Sequence, residues 1–466
     1  MKKTSIPLCR LRTLPVLTML IFSALLSSLL SSCSGDKADV SELLATVPAD
    51  ASAVISINVK DLVEKAGCKI EGSAIVPGKE VEALIAQNDS ASTDSSKIRE
   101  ILNGNSGIDP TVALIFMEGS ELYFTGFAAD PNKFRQFAKN EFGEEFEKAD
   151  DIETLGNVAL KGNQFWIHAN HRNDISREQI KRFVSLDDKL SFLSNPYSDK
   201  IAKFDHDLEG WANLSSLYNA SGMSFQQRAM TGMALAILFS DAQDIAFYAD
   251  FDKGKLATSL SVLNSKGIPA KFNLPTDRID TGLVKNLCHS SDNVIAMAIS
   301  PKLIEQMQKN LGNQNIPGMS LFMPALSALD GTSVVAFSEE TMKGVVSTKG
   351  EATAALSDLI SQLADATVTK DGKLLRFEKG VMSGSLNNSD VADQFKGAMF
   401  AMISSSNHLP GMDLPEMTGN RFLTTLTPDE GSLRLDAIVF SGNEKENFLL
   451  SFIKEKLRYD LLPIKK

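Results

Sequence analysis

One local pattern recurs along this chain and limits what it can become: an apolar run with strand propensity, then a capping residue, then a helix. In "VISINVKDLVEKAG", Val54 to Val59 is predicted as a strand. Asn58 or Asp61 caps the next segment, where Leu62, Val63 and Ala66 fall at helical spacing. Much later, "NVIAMAISPKLIEQMQKNLG" repeats the order. Ile295 to Ile299 is apolar, Ser300 is an N-cap with Pro301 at the first helical position, and Leu303, Ile304 and Met307 form the helical face. Aligning Leu62 with Leu303 also brings Glu64 onto Glu305, so the two stretches read as copies of one element.

A second pair of matching segments lies further on. Two strands flank Asp252-Lys253-Gly254 and two flank Asp429-Glu430-Gly431, each read as a hairpin with glycine where a positive φ is needed. "ELYFTGFAADPNKFRQFAKN" runs strand, Asp130-Pro131 start, helix, and "GVVSTKGEATAALSDLISQLADA" and "AIVFSGNEKENFLLSFIKEKL" do likewise. Predicted strands at Thr111 to Met117 and Ser333 to Phe337 sit beside hairpin partners. The expectation is therefore α+β: two related halves, each a mainly antiparallel sheet with helices packed on one face. The halves are placed at 47–272, with insertions, and 273–466, with the boundary where Gly267, Pro269 and Pro275 cluster.

The chain opens with Lys2, Lys3, Arg10 and Arg12 and then runs apolar from Leu14 to Leu30, the charge and apolar regions of an export signal. The run is Ser-rich at its end, lacks a basic stop-transfer flank, and is shorter than the roughly 20 residues that span a bilayer. It ends Leu30-Ser31-Ser32-Cys33, which resembles the bacterial lipoprotein signal: apolar, small, small, cysteine. That resemblance implies a signal peptide at 1–32, acylation of Cys33 with chains such as palmitate, and a tether at 33–46 leading to a soluble body. Ser34 after the cysteine, in place of aspartate, resembles outer-membrane sorting. Asp36 and Asp39 match the acidic surface-export tether only in part, so periplasmic and outward orientations both stay open.

Removing 1–32 takes away four basic residues and no acidic ones, so the net charge moves from −11 to −15. An acidic surface of that size repels phosphate backbones, and no nucleic-acid partner is expected. Cys68 and Cys288 are the cysteines left in the mature body. Two separately buried thiols is the preferred reading, with a bridge between them as the alternative. Ala86 to Lys97, "AQNDSASTDSSK", is too polar to bury and is expected as a loop. Within it, Asp89-Ser90-Ala91 resembles the acceptor pattern for general O-glycosylation of exported Bacteroidales proteins, which marks Ser90.

The motifs that would carry chemistry are mostly missing. There is no nucleophile elbow, zinc-protease helix, phosphate loop or dinucleotide fingerprint, and no cofactor is expected. His168 and His171 lie three apart, but after the strand-like "NQFWI" such a spacing points to opposite faces. Asp205, Asp207 and Glu209 imitate the start of a calcium loop with Gly210 sixth, yet Ser216 stands where the bidentate glutamate belongs; a solvated acidic turn is preferred. Ser451 and Lys454 match Ser-x-x-Lys without its companion motifs, inside a predicted helix. No catalytic residue is assigned.

Cys33, the Pro48-Ala49-Asp50 opening and the repeated halves together resemble a family of uncharacterised lipoproteins of about 500 residues from Bacteroides and its relatives, a domain of unknown function. No residue roles carry over from it. The expected role is a lipid-anchored protein of the cell envelope, at the outer membrane, acting as a non-enzymatic binding or interaction module. Its partners are the membrane through Cys33 and a second envelope protein. The alternatives are a carboxylate-based glycan hydrolase and a substrate-capture lipoprotein of a nutrient importer. The capture reading needs exposed rim aromatics, with Trp166 or Trp211 among them.

Overall fold

The structure, a computed structural model, describes residues 40–460 except 72–73, 89–98, 143–144, 170–174, 221–223, 288, 312–326, 339, 351–352, 383 and 406–419. Two compact units divide it. The first takes the chain up to Ser221, with Tyr248–Asp252 and the stretch from Leu449; the second takes Gly222–Phe247 and Lys253–Phe448.

The strands of the first unit are β1 (Ala53–Asn58), the small hairpin β2 (Lys69–Glu71) and β3 (Ala74–Val76), the long pair β4 (Ile108–Glu118) and β5 (Glu121–Ala128), then β6 (Glu147–Ala149), β7 (Ile152–Leu155), β8 (Val158–Lys161), β9 (Gln164–His168) and β10 (Leu208–Asn213), with the end of β11 (Asp244–Asp252). Among the described residues the main sheet runs β10-β1-β4-β5-β9-β8-β7-β6, antiparallel at every step.

The second unit contains β12 (Lys255–Leu263), β13 (His289–Ser291), β14 (Asn293–Ile299), β15 (Leu329–Ser338), β16 (Thr341–Thr348), β17 (Thr367–Asp371), β18 (Leu374–Lys379), β19 (Leu386–Asn387), β20 (Phe400–Ser404), β21 (Arg421–Asp429) and β22 (Ser432–Phe440). Its sheet runs β12-β22-β21-β20-β14-β15-β16-β18-β17, again antiparallel throughout, while β13 and β19 pair separately. The chain is thus α+β, built on large antiparallel sheets with helices. Asn58 and Ser300 both cap as the sequence suggests: Asn58 Oδ1 accepts from the Asp61 N–H and Ser300 Oγ from the Leu303 N–H. At the β21–β22 turn Glu430 and Gly431 have φ 46° and 86°, the left-handed pair that a two-residue hairpin requires.

Four expectations are corrected. Helices cover both faces of each sheet, because strands such as "VALIFM" are apolar at consecutive positions and so must be buried on two sides. In the first unit Ile57 and Ile115 pack under the helices Val59–Lys65 and Lys79–Asn88. On the opposite face Phe116 and Tyr123, cross-strand partners, meet Phe183 of the helix Arg177–Val184 edge-on at 5.4 Å. In the second unit Val294, Ala296 and Ala298 face the helices Thr281–Leu287 and Asn388–Gln394. There Val346, Leu375 and Phe377 face Leu356 of the helix Thr353–Ala364 on the other side.

Second, the tether at 33–46 is too long: Val40, Leu43 and Leu44 of the helix Val40–Leu44 are buried, so the folded body already includes residues 40–46. Third, the division at 272/273 is not where the units part. β12 pairs along its length with β22 and so belongs to the second unit, while Ile453, in the helix Phe448–Asp460, enters the core of the first. Ala86 to Asn88 also end a helix instead of starting the loop, whose residues 89–98 lie outside the described set.

Gly344 on β16 lies opposite Phe377 on β18, and a Cβ there would fall 1.9 Å from the ring. The aromatic ring covers the bare glycine, a cross-strand arrangement that pins register. Gly344→Ala is expected to lower stability by about 1–3 kcal/mol through overpacking, read as a drop in urea midpoint. Adding Phe377→Leu should recover part of that loss; simple additivity would sink the explanation.

Candidate functional site

Where the sequence suggests a calcium loop, the first unit holds a buried polar cluster. The helix Ser198–Lys203 closes at Phe204 with φ 54°, a left-handed turn that a bulky side chain rarely takes. The chain then enters β10, and the Asn58 N–H donates to the Asp207 carbonyl at 2.8 Å. Asp207 and Glu209 flank Leu208, so period-two geometry puts both carboxylates on one face.

Asp207 is buried and fully engaged. Lys65, in the last turn of the helix Val59–Lys65, donates to both of its oxygens at 2.7 and 2.6 Å, and the Phe251 N–H donates to Oδ2 at 2.6 Å. Its own N–H donates to Asp250 Oδ1 at 3.1 Å. The other Asp250 oxygen is 2.7 Å from His206 Nδ1, and the His206 ring stacks on Tyr248 with centroids 3.8 Å apart. Glu209, also buried, accepts from the Tyr197 hydroxyl at 2.9 Å.

Burial pushes the Asp207 carboxyl above its ordinary range, with the Lys65 side chain and the Phe251 N–H working against the rise. Burial does the same to Glu209, opposed by the Tyr197 hydroxyl. The Tyr197 phenol is itself pushed up, by burial first and then by the Glu209 charge. Two neighbouring carboxyls with raised proton affinity look like acid–base machinery. Both Asp207 oxygens, however, are held by Lys65 and the Phe251 amide, and Glu209 Oε1 by Tyr197, so this arrangement ties a helix end and two strand ends together. Among the described residues no group of three or more His, Cys, Asp or Glu side chains is placed to hold a metal ion.

The other sequence candidates separate. Asp205 is exposed. His168 ends β9 buried, stacked on Tyr123 and 2.7 Å from Glu121 Oε2, while His171 lies outside the described residues. Ser451 is buried and Lys454 Nζ lies 3.4 Å from Glu80. Cys68 is a buried free thiol, its pKa raised by that burial, and Cys288 lies outside the described residues. Cys33 and Ser90 lie outside them as well. Trp166 and Trp211 are both buried, which corrects the expectation that either one lines a sugar-stacking rim.

The sequence reading missed Lys65, Tyr197, His206, Tyr248 and Asp250. Lys65 stands 142 positions from Asp207, and a lysine in the last turn of a helix reads as a routine complement to the helix dipole.

No protein-family model matches the chain, and no curated protein matches it. Two solved structures of a protein titled TP0453 are similar to it. Crystal form III gives a TM-score of 0.28 at 12% identity, covering 78% of this chain and 100% of that one. Crystal form I gives 0.27 at 11%, covering 78% and 96%. At that level of similarity they bear on neither fold nor function.

Lys65→Met is expected to make stability more pH-dependent. Without the ammonium the Asp207 carboxyl rises further, and a group whose folded pKa is raised loses its stabilising contribution as pH climbs from the unfolded value towards the folded one. The deficit against wild type should be small at pH 4, near the ordinary carboxylate value, and grow to about 2 kcal/mol at pH 7. Urea midpoints at both pH values measure it; an equal deficit at each would show that the pair is not coupled.

Proposed function

We propose that this chain is a lipid-anchored, non-enzymatic envelope protein, related to the uncharacterised lipoprotein family it resembles, whose body is built from two copies of one α+β repeat and acts by binding another envelope protein. The observation that carries the anchor is the Leu30-Ser31-Ser32-Cys33 ending of an export signal. Val40 is already buried, so a short tether of six residues, 34–39, separates the cysteine from the packed body. The non-enzymatic reading draws its support from the Asp207 cluster, where Lys65 and the Phe251 amide hold both Asp207 oxygens and Tyr197 holds Glu209 Oε1.

The duplication is supported by order. In the first unit β8-β9-β5-β4-β1-β10 are consecutive neighbours, and in the second β17-β18-β16-β15-β14-β20 are. In both, the central strand leads directly into a capped helix and its neighbour opens a long hairpin. A glycine faces a phenylalanine at the same step of each: Gly126 against Phe165, and Gly344 against Phe377.

The alignment needs a one-residue adjustment. The Asn58 N–H donates to the Asp207 carbonyl and the Ala298 N–H to the Met399 carbonyl, so matching strand positions differ by an even number. An odd shift would turn every side chain to the wrong face. Cap on cap, Asn58 falls on Ser300, an offset of 242. Leu62 then lies on Ile304, both buried, in place of Leu303.

The experiment is Cys33→Ala beside wild type in cells fed a clickable palmitate, followed by membrane fractionation and mild crosslinking. Wild type should take up label and sediment with membranes, with a discrete crosslinked envelope partner, and the variant should lose both label and sedimentation. Equal sedimentation without label would overturn the anchor. Turnover of an envelope glycan by the purified chain would overturn the non-enzymatic reading.

A further inference from the structure

The helix Phe225–Leu238 in the second unit leaves large apolar side chains exposed to water. It starts soundly: Ser224 and Gln227 form a capping box, with the Gln227 N–H on Ser224 Oγ and the Ser224 N–H on Gln227 Oε1. Its sequence, "FQQRAMTGMALAIL", has one charged residue, Arg228. Such a helix normally hides in a core or a membrane. Here none of its described side chains is buried.

At 100° per residue, Phe225, Ala229, Met233 and Ala236 fall within one narrow arc, with Met230 at its flank. Phe225 is 82%, Met230 61% and Met233 45% exposed, with Ala229 and Ala236 exposed beside them and the polar but uncharged Gln226 exposed between Met233 and Met230. Arg228, Thr231, Leu235 and Leu238, on the other side, are half-buried. A Cβ added at Gly232 would meet nothing within 4 Å. The apolar stripe faces outward while the single charge sits on the protected side.

Two facts select the apolar phase that meets this stripe. On the anchor reading proposed above the mature chain starts at Cys33, and the described body begins at Val40, so the body is held close to a bilayer. Tethering of this kind replaces a bimolecular encounter with a high local concentration. The body also carries an acidic excess, −11 over the whole chain, which opposes close approach of a second copy.

We propose that Phe225–Leu238 is a membrane-contact helix. Its stripe of Phe225, Ala229, Met230, Met233 and Ala236 lies in the interfacial acyl region of the lipid surface that holds Cys33, and fixes how the second unit faces that surface. Because the stripe is uncharged, the contact does not draw on attraction to anionic lipid and is not weakened by salt, unlike the basic interfacial helices that rely on that attraction.

The test places a benzoylphenylalanine photocrosslinker at Phe225 in the full-length chain, in cells, with the same group at Val381, which is 88% exposed, as control. Irradiation should yield a phospholipid adduct at 225, by mass, several-fold above the yield at 381, and not diminished when membranes are irradiated in high salt. The Met230→Glu variant should lose most of that adduct while its thermal midpoint stays near wild type. A chain that sediments with membranes but crosslinks at 225 to a second copy, to another protein or to nothing overturns the helix proposal alone. A chain recovered soluble and unlabelled at Cys33 overturns the anchor reading and this proposal with it.

Discussion

Everything in this protein depends on strands that are apolar at consecutive positions and must therefore be covered twice. An antiparallel sheet with one wet face could be built from alternating strands alone. Here Ile115 and Phe116, or Val345 and Val346, point to opposite sides and are buried on both. Each sheet thus recruits two layers of helices, and at one strand end of the first unit the carboxylates Asp207 and Glu209 are buried. Buried polar groups need partners in such a place. The Lys65, Asp207 and Phe251 contacts are the local answer, holding a helix terminus against two strand ends.

If the units descend from one repeat, the second shows that this answer is optional. Under the offset fixed by the caps, Met307 stands where Lys65 does, and on the paired strand Gly397 replaces Asp207 and Met399 replaces Glu209. Among the described residues no buried ion pair bridges that crossing. A buried pair is weak support for stability in itself, since a packed apolar substitute often serves as well.

What could be read from the sequence was local. The caps at Asn58 and Ser300, the Asp130-Pro131 helix start and the hairpin at Glu430-Gly431 are short-range decisions, set by a side chain and a backbone group within three or four positions of each other. Helix layering was misread because antiparallel hairpins suggest a half-wet sheet, and only the absence of strict alternation in runs like "VALIFM" argued otherwise. The Asp207 cluster was mistaken for a solvated turn because its acids were visible and its lysine, 142 positions away, was not. The one-residue slip between Leu303 and Ile304 has a similar cause: matching letters favoured one alignment, and only strand hydrogen bonds reveal parity.

The exposed helix completes the physical picture because it gathers exposed apolar side chains on one element. Elsewhere they are scattered singly, as at Leu190 and Val381; on Phe225–Leu238 the arc holding Phe225 and Met230 faces out while Arg228 is half-buried. Single exposed apolar residues are ordinary on a soluble protein, but a contiguous stripe along one helix marks a contact surface. A strongly acidic body gains little from electrostatic attraction to a lipid surface. An uncharged stripe is then the form of contact open to it, and on the proposed anchor reading an acyl chain at Cys33 supplies the proximity that charge does not.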